Sequence, residues 1–287
     1  MLQIRPLCAL PILWVALALG ASAATPPNNP KGQMDEIFFL SGLEAQLGAV
    51  GDNLGAAIEP QIQYLPPAQG QALQRAVLRE FDADLLQRDV ERHLEQAHNP
   101  RHAERVLEWL RSPIGRRIAK LDLAAAQPEA ATELQAYALG LANNPPPVAR
   151  IALIRQLDVA TGMTDFTVDA TLTSALATAL GASGALPAAQ QATEEEIRAT
   201  LEAQRQVLRP EIEKMMIASM LYSYRSLGDD ELRRYIDFSE SESGRWYHES
   251  VKRALLDTLE DASTRVGRAL AAAFAATPDP APASPAR

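Results

Sequence analysis

One stretch occurs twice in this chain, and it constrains the fold more than any other feature. Its first copy is Arg105-Val106-Leu107-Glu108-Trp109-Leu110-Arg111-Ser112-Pro113-Ile114-Gly115-Arg116. Its second is Arg234-Tyr235-Ile236-Asp237-Phe238-Ser239-Glu240-Ser241-Glu242-Ser243-Gly244-Arg245, and a constant offset of 129 residues pairs the two without a gap. Each copy reads as a helix, a tight break and a new helix. Ser112 and Ser241 are suited to cap the new helix, because a serine oxygen accepts from the free N–H groups of the following turn. Pro113 takes the first helical position, where its missing N–H costs nothing. Glu242 takes that place in the second copy, where a negative charge suits the helix dipole. Gly115 and Gly244 then lie in the first turn, where a missing side chain lets the preceding helix pack close. Trp109 and Phe238 are placed to plug the two corners. Arg116 and Arg245 follow as structural residues of the motif, or as anion ligands at a helix N-terminus.

Doubling of this corner predicts an all-α chain of two pseudo-repeated bundles with about four to five helices each. They form two small bundles or fuse across one core. Abundant Ala, Leu, Gln, Glu and Arg, with few β-branched runs, fit that class. Residues 1–23 read as a signal peptide. Arg5 supplies the charge, Leu7 to Gly20 the apolar run, and Ala21-Ser22-Ala23 a cleavage site. Cys8, the one cysteine, leaves with that segment, so no disulfide and no thiol nucleophile is expected in the mature chain. The expected location is the bacterial periplasm or the outside, with no transmembrane segment once cleavage near Ala23 has occurred. A net charge of −9 argues against nucleic acid as a partner, since such binding needs a basic face.

Further along, residues 24–34 read as a flexible leader, residues 35–142 as the first helical repeat and residues 148–276 as the second. Asn143-Asn144-Pro145-Pro146-Pro147 is the linker between them, and residues 277–287 form a disordered Pro-Ala tail. In the first repeat, helices are expected over 35–50 (with Ser41-Gly42 inside), 52–64, 68–97, from Pro100 to the corner, after the corner, and over 129–142. Asn99 is the expected cap before Pro100. In the second, helix 148–160 is followed by Thr161-Gly162-Met163, which echoes Ser41-Gly42-Leu43. Gly181 to Pro187 reads as a loop. Thr193 and Glu196 form a capping box, Pro210 is expected to kink the next helix or start a new one, and Gly228-Asp229-Asp230 separates it from the second corner.

Catalytic signals are thin. His93, His98 and His102 lie close in sequence, but Asn99-Pro100 breaks the helical spacing a zinc motif needs, so no metal is expected. Ser243 and Ser250 flank His248 without a nucleophile elbow. No carboxylate pair stands out for glycoside hydrolysis, and no phosphate loop or dinucleotide fingerprint predicts a cofactor. The second half is enriched in methionine and aromatic residues. At helical spacing these read first as core, and otherwise as a groove for an apolar ligand or partner, with Met216, Met220, Tyr224, Phe238 and Trp246 as its candidate residues.

The corners, an aromatic helix end followed by S-x-x-G-R, resemble the uncharacterised exported bacterial proteins grouped as domain of unknown function 2059. Trp109, Ser112, Gly115 and Arg116 carry the resemblance in one copy, and Phe238, Ser241, Gly244 and Arg245 in the other. Glu242 departs from the usual proline. The resemblance implies a helical exported protein and no activity, so no catalytic residue is carried over. The expectation is a non-enzymatic binding or interaction protein of the cell envelope, with an envelope protein, a peptide or an apolar ligand in a groove or inter-repeat cleft. A hydrolase acting on envelope material through carboxylates or a histidine is the alternative.

Overall fold

The structure, a computed structural model, describes residues 30–44, 67–184 and 191–275, with positions 47, 59, 62 and 63 between the first two segments. The signal peptide, the second expected helix at 52–64 and the Pro-Ala tail lie largely or wholly outside the described residues. Every regular element described is helical: α1 Pro30–Ser41, α2 Pro67–Glu80, α3 Ala83–Gln96, α4 Pro100–Arg111, α5 Pro113–Ala126, α6 Pro128–Gly140, α7 Val148–Thr161, α8 Met163–Gly184, α9 Glu194–Ser223, α10 Asp229–Glu240 and α11 Glu242–Ala275. None of these helices is long and apolar enough to cross a membrane.

Capping chemistry sets most of these boundaries. The Asn99 side chain accepts from the backbone N–H of Arg101 and His102 and starts α4 with Pro100 at its first position. Thr193 and Glu196 satisfy each other's orphan N–H groups at the start of α9. The Glu231 carboxylate accepts from the Gly228 N–H at 2.9 Å before α10. Residues 141–147 are non-helical, as the Asn-Pro run requires.

Five features differ from expectation. The leader was expected to extend to residue 34, but Pro30–Met34 is already helix. Met34 is buried there, and Lys31 pairs with Glu95 of α3 at 2.9 Å. Ser41-Gly42 lies at the end of a helix and not inside one: Ser41 is the last residue of α1, and Gly42 adopts a φ of 80° and ends it, as Gly162, at 68°, ends α7. The stretch 68–97 is not one helix. It breaks at Phe81-Asp82, because the Asp82 carboxylate accepts from the Leu85 N–H at 3.2 Å and starts α3. Conversely, Gly181 to Gly184 continue α8. Pro210 neither ends nor restarts its helix, which is assigned as one element from Glu194 to Ser223.

Packing joins the halves. One core gathers Met34, Ile37, Phe38, Val77, Phe81, Leu86, Val90, Leu94, Val106, Leu107 and Leu110 of the first half. It is completed by Ala254, Ala262 and Val266 of α11. The other gathers Ile154, Leu157, Val168, Leu172, Met216, Met220, Tyr224, Leu232 and Ile236 of the second half. It takes in Ile118 of α5, with Ile114 and Leu121 against it. The helix that follows each corner therefore contributes to the core of the opposite half. Arg265 of α11 fastens the exchange. Its Nε donates to the buried Glu80 of α2 at 2.9 Å, and its Nη2 lies 3.1 Å from the buried Asp89 of α3. Burial of those carboxylates is tolerable because Arg79 and Arg92 pair with them as well.

Candidate functional site

The two corners meet. Trp109, at the end of α4, stacks on Phe238, at the end of α10, with ring centroids 4.4 Å apart and planes 6° from parallel. Both breaks are closed by the same bond: the Ser112 oxygen accepts from the Gly115 N–H at 3.0 Å, and the Ser241 oxygen from the Gly244 N–H at 3.0 Å. Both glycines are required by close approach. A Cβ on Gly115 would overlap the Trp109 carbonyl, and one on Gly244 the Phe238 carbonyl. The two arginines then diverge. Arg116 folds back and donates through Nη1 to the Arg111 carbonyl. Arg245 has no side-chain partner among the described residues and borders a pocket.

That pocket, about 470 Å³, is open to solvent. Val159, Ala160 and Gly162 from the end of α7 form one wall, and Arg245, Trp246, His248, Glu249 and Lys252 from the first turns of α11 form the other. Arg245, His248, Glu249 and Lys252 fall at i, i+3, i+4 and i+7, which places those four on one face of the helix, with Trp246 at i+1 beside it. Trp246 is held rigidly. Its Nε1–H donates to the Ala97 carbonyl at 3.2 Å, and its ring stacks on His102, 5.7 Å between centroids. His102 in turn shares a hydrogen bond with the Ser243 hydroxyl at 3.1 Å. The Lys252 ammonium lies across Gly162, where a Cβ would strike it, and pairs with Glu249 at 3.4 Å. Val159 is 80% exposed at the rim, a large apolar side chain without cover.

His248 shares a 3.0 Å hydrogen bond between Nε2 and the hydroxyl of Ser239, which is wholly buried. Burial lowers the imidazole pKa to about 3, with help from the Lys252 charge, so His248 is neutral at ordinary pH. A histidine in that state is a poor proton acceptor, and a buried serine offers no oxygen to a substrate.

A second polar cluster lies under the corners. The Tyr224 phenol donates to Asp122 of α5 at 2.8 Å, and Tyr235 meets Tyr224 edge-on at 5.9 Å. Burial pushes the Asp122 carboxyl well above the carboxylate range, opposed by the Tyr224 hydrogen bond. Burial also raises both phenols, and the neighbouring Asp122 charge adds to each shift.

The expected apolar groove is not assembled. Met216, Met220 and Tyr224 are fully buried in the second core, because α9 turns that stripe toward the neighbouring helices. Phe238 is consumed by the Trp109 stack. Of the five candidate groove residues, Trp246 alone reaches the pocket. Pattern reading does not single out Val159, Glu249, Lys252 or Asp122. Asp122 was detectable as a carboxylate four residues after Ile118 on the apolar stripe of α5. The other histidines are engaged separately: His98 with Gln33 at 2.9 Å, and His93 near Asp257 and Asp261. No group of metal-ligating side chains gathers among the described residues. No protein-family model, curated protein or solved structure matches the chain.

Proposed function

We propose that this chain is an exported, non-enzymatic binding protein of the bacterial cell envelope, and that the pocket between α7 and α11 is its ligand site. One observation carries the reading. The pocket combines a rigidly held indole, an uncovered valine and a guanidinium without a partner among the described residues, at an open surface. Apolar walls with a few placed polar groups are the usual make-up of a small-molecule site, and about 470 Å³ lies within the usual size range. Export is supported by the signal-like residues 1–23, and descent of the halves from one repeat by the two corners, which share caps, glycines and offset. The hydrolase reading has less support, since His248 is neutral and tied to a buried serine.

Native mass spectrometry of the protein purified gently from a bacterial envelope fraction tests the reading. The expected spectrum contains the chain with a bound molecule of defined mass, and that peak disappears in Trp246→Ala. A ligand retained in full by Trp246→Ala places binding elsewhere. A bare chain in both preparations removes the support for a resident ligand.

A further inference from the structure

From the charges around the pocket, and resting on its reading as the ligand site, we infer that it selects ligands carrying one anionic group, carboxylate or phosphate, on a planar apolar body. Arg245 and Lys252 are cations, Glu249 is the one carboxylate among the lining residues, and His248 is neutral, which leaves the lining net positive on a chain of net charge −9. A lining with an excess of one sign raises the local concentration of ligands of the opposite sign.

The two cations differ in availability. Lys252 already has Glu249 at 3.4 Å and lies against Gly162 at the end of α7, where a positive charge also suits the helix dipole. Arg245 has no such partner among the described residues. The corresponding corner arginine, Arg116, spends its guanidinium on the carbonyl of Arg111, so the corner itself does not need the Arg245 head group. A free guanidinium presents a planar fork that matches carboxylate and phosphate oxygens. Arg245 and Lys252 are seven residues apart, roughly 10 Å along the helix and on the same face. Their long side chains can reach an anion above Glu249, while Trp246 and Val159 offer the apolar contact. A bare anion would leave those two surfaces unused, which is why the class is an anion on a planar apolar body.

Isothermal titration calorimetry of the purified chain tests the inference with three probes: 2-naphthoate, 2-naphthyl phosphate and the neutral 2-naphthalenemethanol. The expected result is that at least one of the anions binds ten-fold or more tightly than the alcohol, and the better anion identifies which acid the site prefers. Arg245→Gln removes that advantage without changing the affinity for the alcohol. Glu249→Gln tightens the anion about threefold. Circular dichroism melts confirm that both variants fold, which their exposed positions predict. Equal binding of all three probes, or an anion advantage that survives Arg245→Gln, overturns the anion preference and leaves the pocket as an apolar site. Binding of no probe overturns the anion preference and the ligand site together.

Discussion

Gly244→Ala adds one methyl group at the tightest point of the second corner. Its Cβ would overlap the carbonyl oxygen of Phe238 and press on the Cα of Ser239. The obstacle is backbone, so no rotamer change relieves it. Overpacking of a rigid site costs about 1–3 kcal/mol, and alanine returns at most about 1 kcal/mol through its better helix propensity. Because a backbone shift would also disturb the Trp109–Phe238 stack, the upper part of the range applies. We expect a net loss of about 2 kcal/mol. Gly115→Ala, facing the Trp109 carbonyl in the same way, should cost a similar amount. The double variant should depart from additivity by about 0.5 kcal/mol or more, since neighbouring sites that share a contact couple. Gly267→Ala is the internal control. It lies within α11 with nothing within 4 Å of its would-be Cβ, so it should stabilise by about 0.5–1 kcal/mol. Urea denaturation followed by circular dichroism at 222 nm measures all four. A Gly244→Ala variant as stable as the parent, or a destabilised Gly267→Ala, would refute the reasoning.

Other consequences are as direct. Fragments 30–142 and 148–275 should each fail to fold alone, and a mixture should regain helical ellipticity, because each core takes side chains from the other half; independent cooperative melting of either fragment sinks the interlocked arrangement. Arg265→Met should cost about 2 kcal/mol by urea denaturation, the loss of one partner from two buried carboxylates that keep Arg79 and Arg92. The Asp122 carboxyl has a folded pKa above its unfolded value, so its contribution to stability is full below about pH 4 and is lost as pH rises through the folded pKa. The stability of the parent minus that of Asp122→Asn should therefore fall between pH 4 and pH 8; a flat or rising difference contradicts the burial of that group. For His248 the sign is opposite: its folded pKa lies below the unfolded one, so stability from the neutral ring is full above about pH 6.5 and is lost as pH falls toward 3. Its imidazole Cε1–H resonance should stay fixed from pH 8 to pH 5, and a midpoint near 6.5 would contradict the lowered pKa.

Local signals were the legible ones. Ser112, Ser241, Asn99 and Thr193 cap where their side chains and following residues predict, because a cap is settled within one turn of chain. The helix break at Asp82 was missed because the apolar stripe runs across it: Val77, Phe81 and Leu86 face one core from two helices. At Pro210 no new helix starts, and the element continues from Glu194 to Ser223. For the site, helical spacing could not tell the core face of α9 from a groove, as a methionine stripe looks the same in either role. The pocket escaped notice because its walls come from chain segments more than eighty residues apart, Val159 to Gly162 and Arg245 to Lys252. Arg245 was visible as part of the corner, but its difference from Arg116 depends on where α7 ends.

The most direct measurement is a crystal structure of the protein grown with 2-naphthoate. The account predicts ordered density between α7 and α11, with the naphthyl ring against Trp246 and Val159 and the carboxylate turned toward Arg245. An empty pocket, with the ring found elsewhere on the molecule or nowhere, contradicts it.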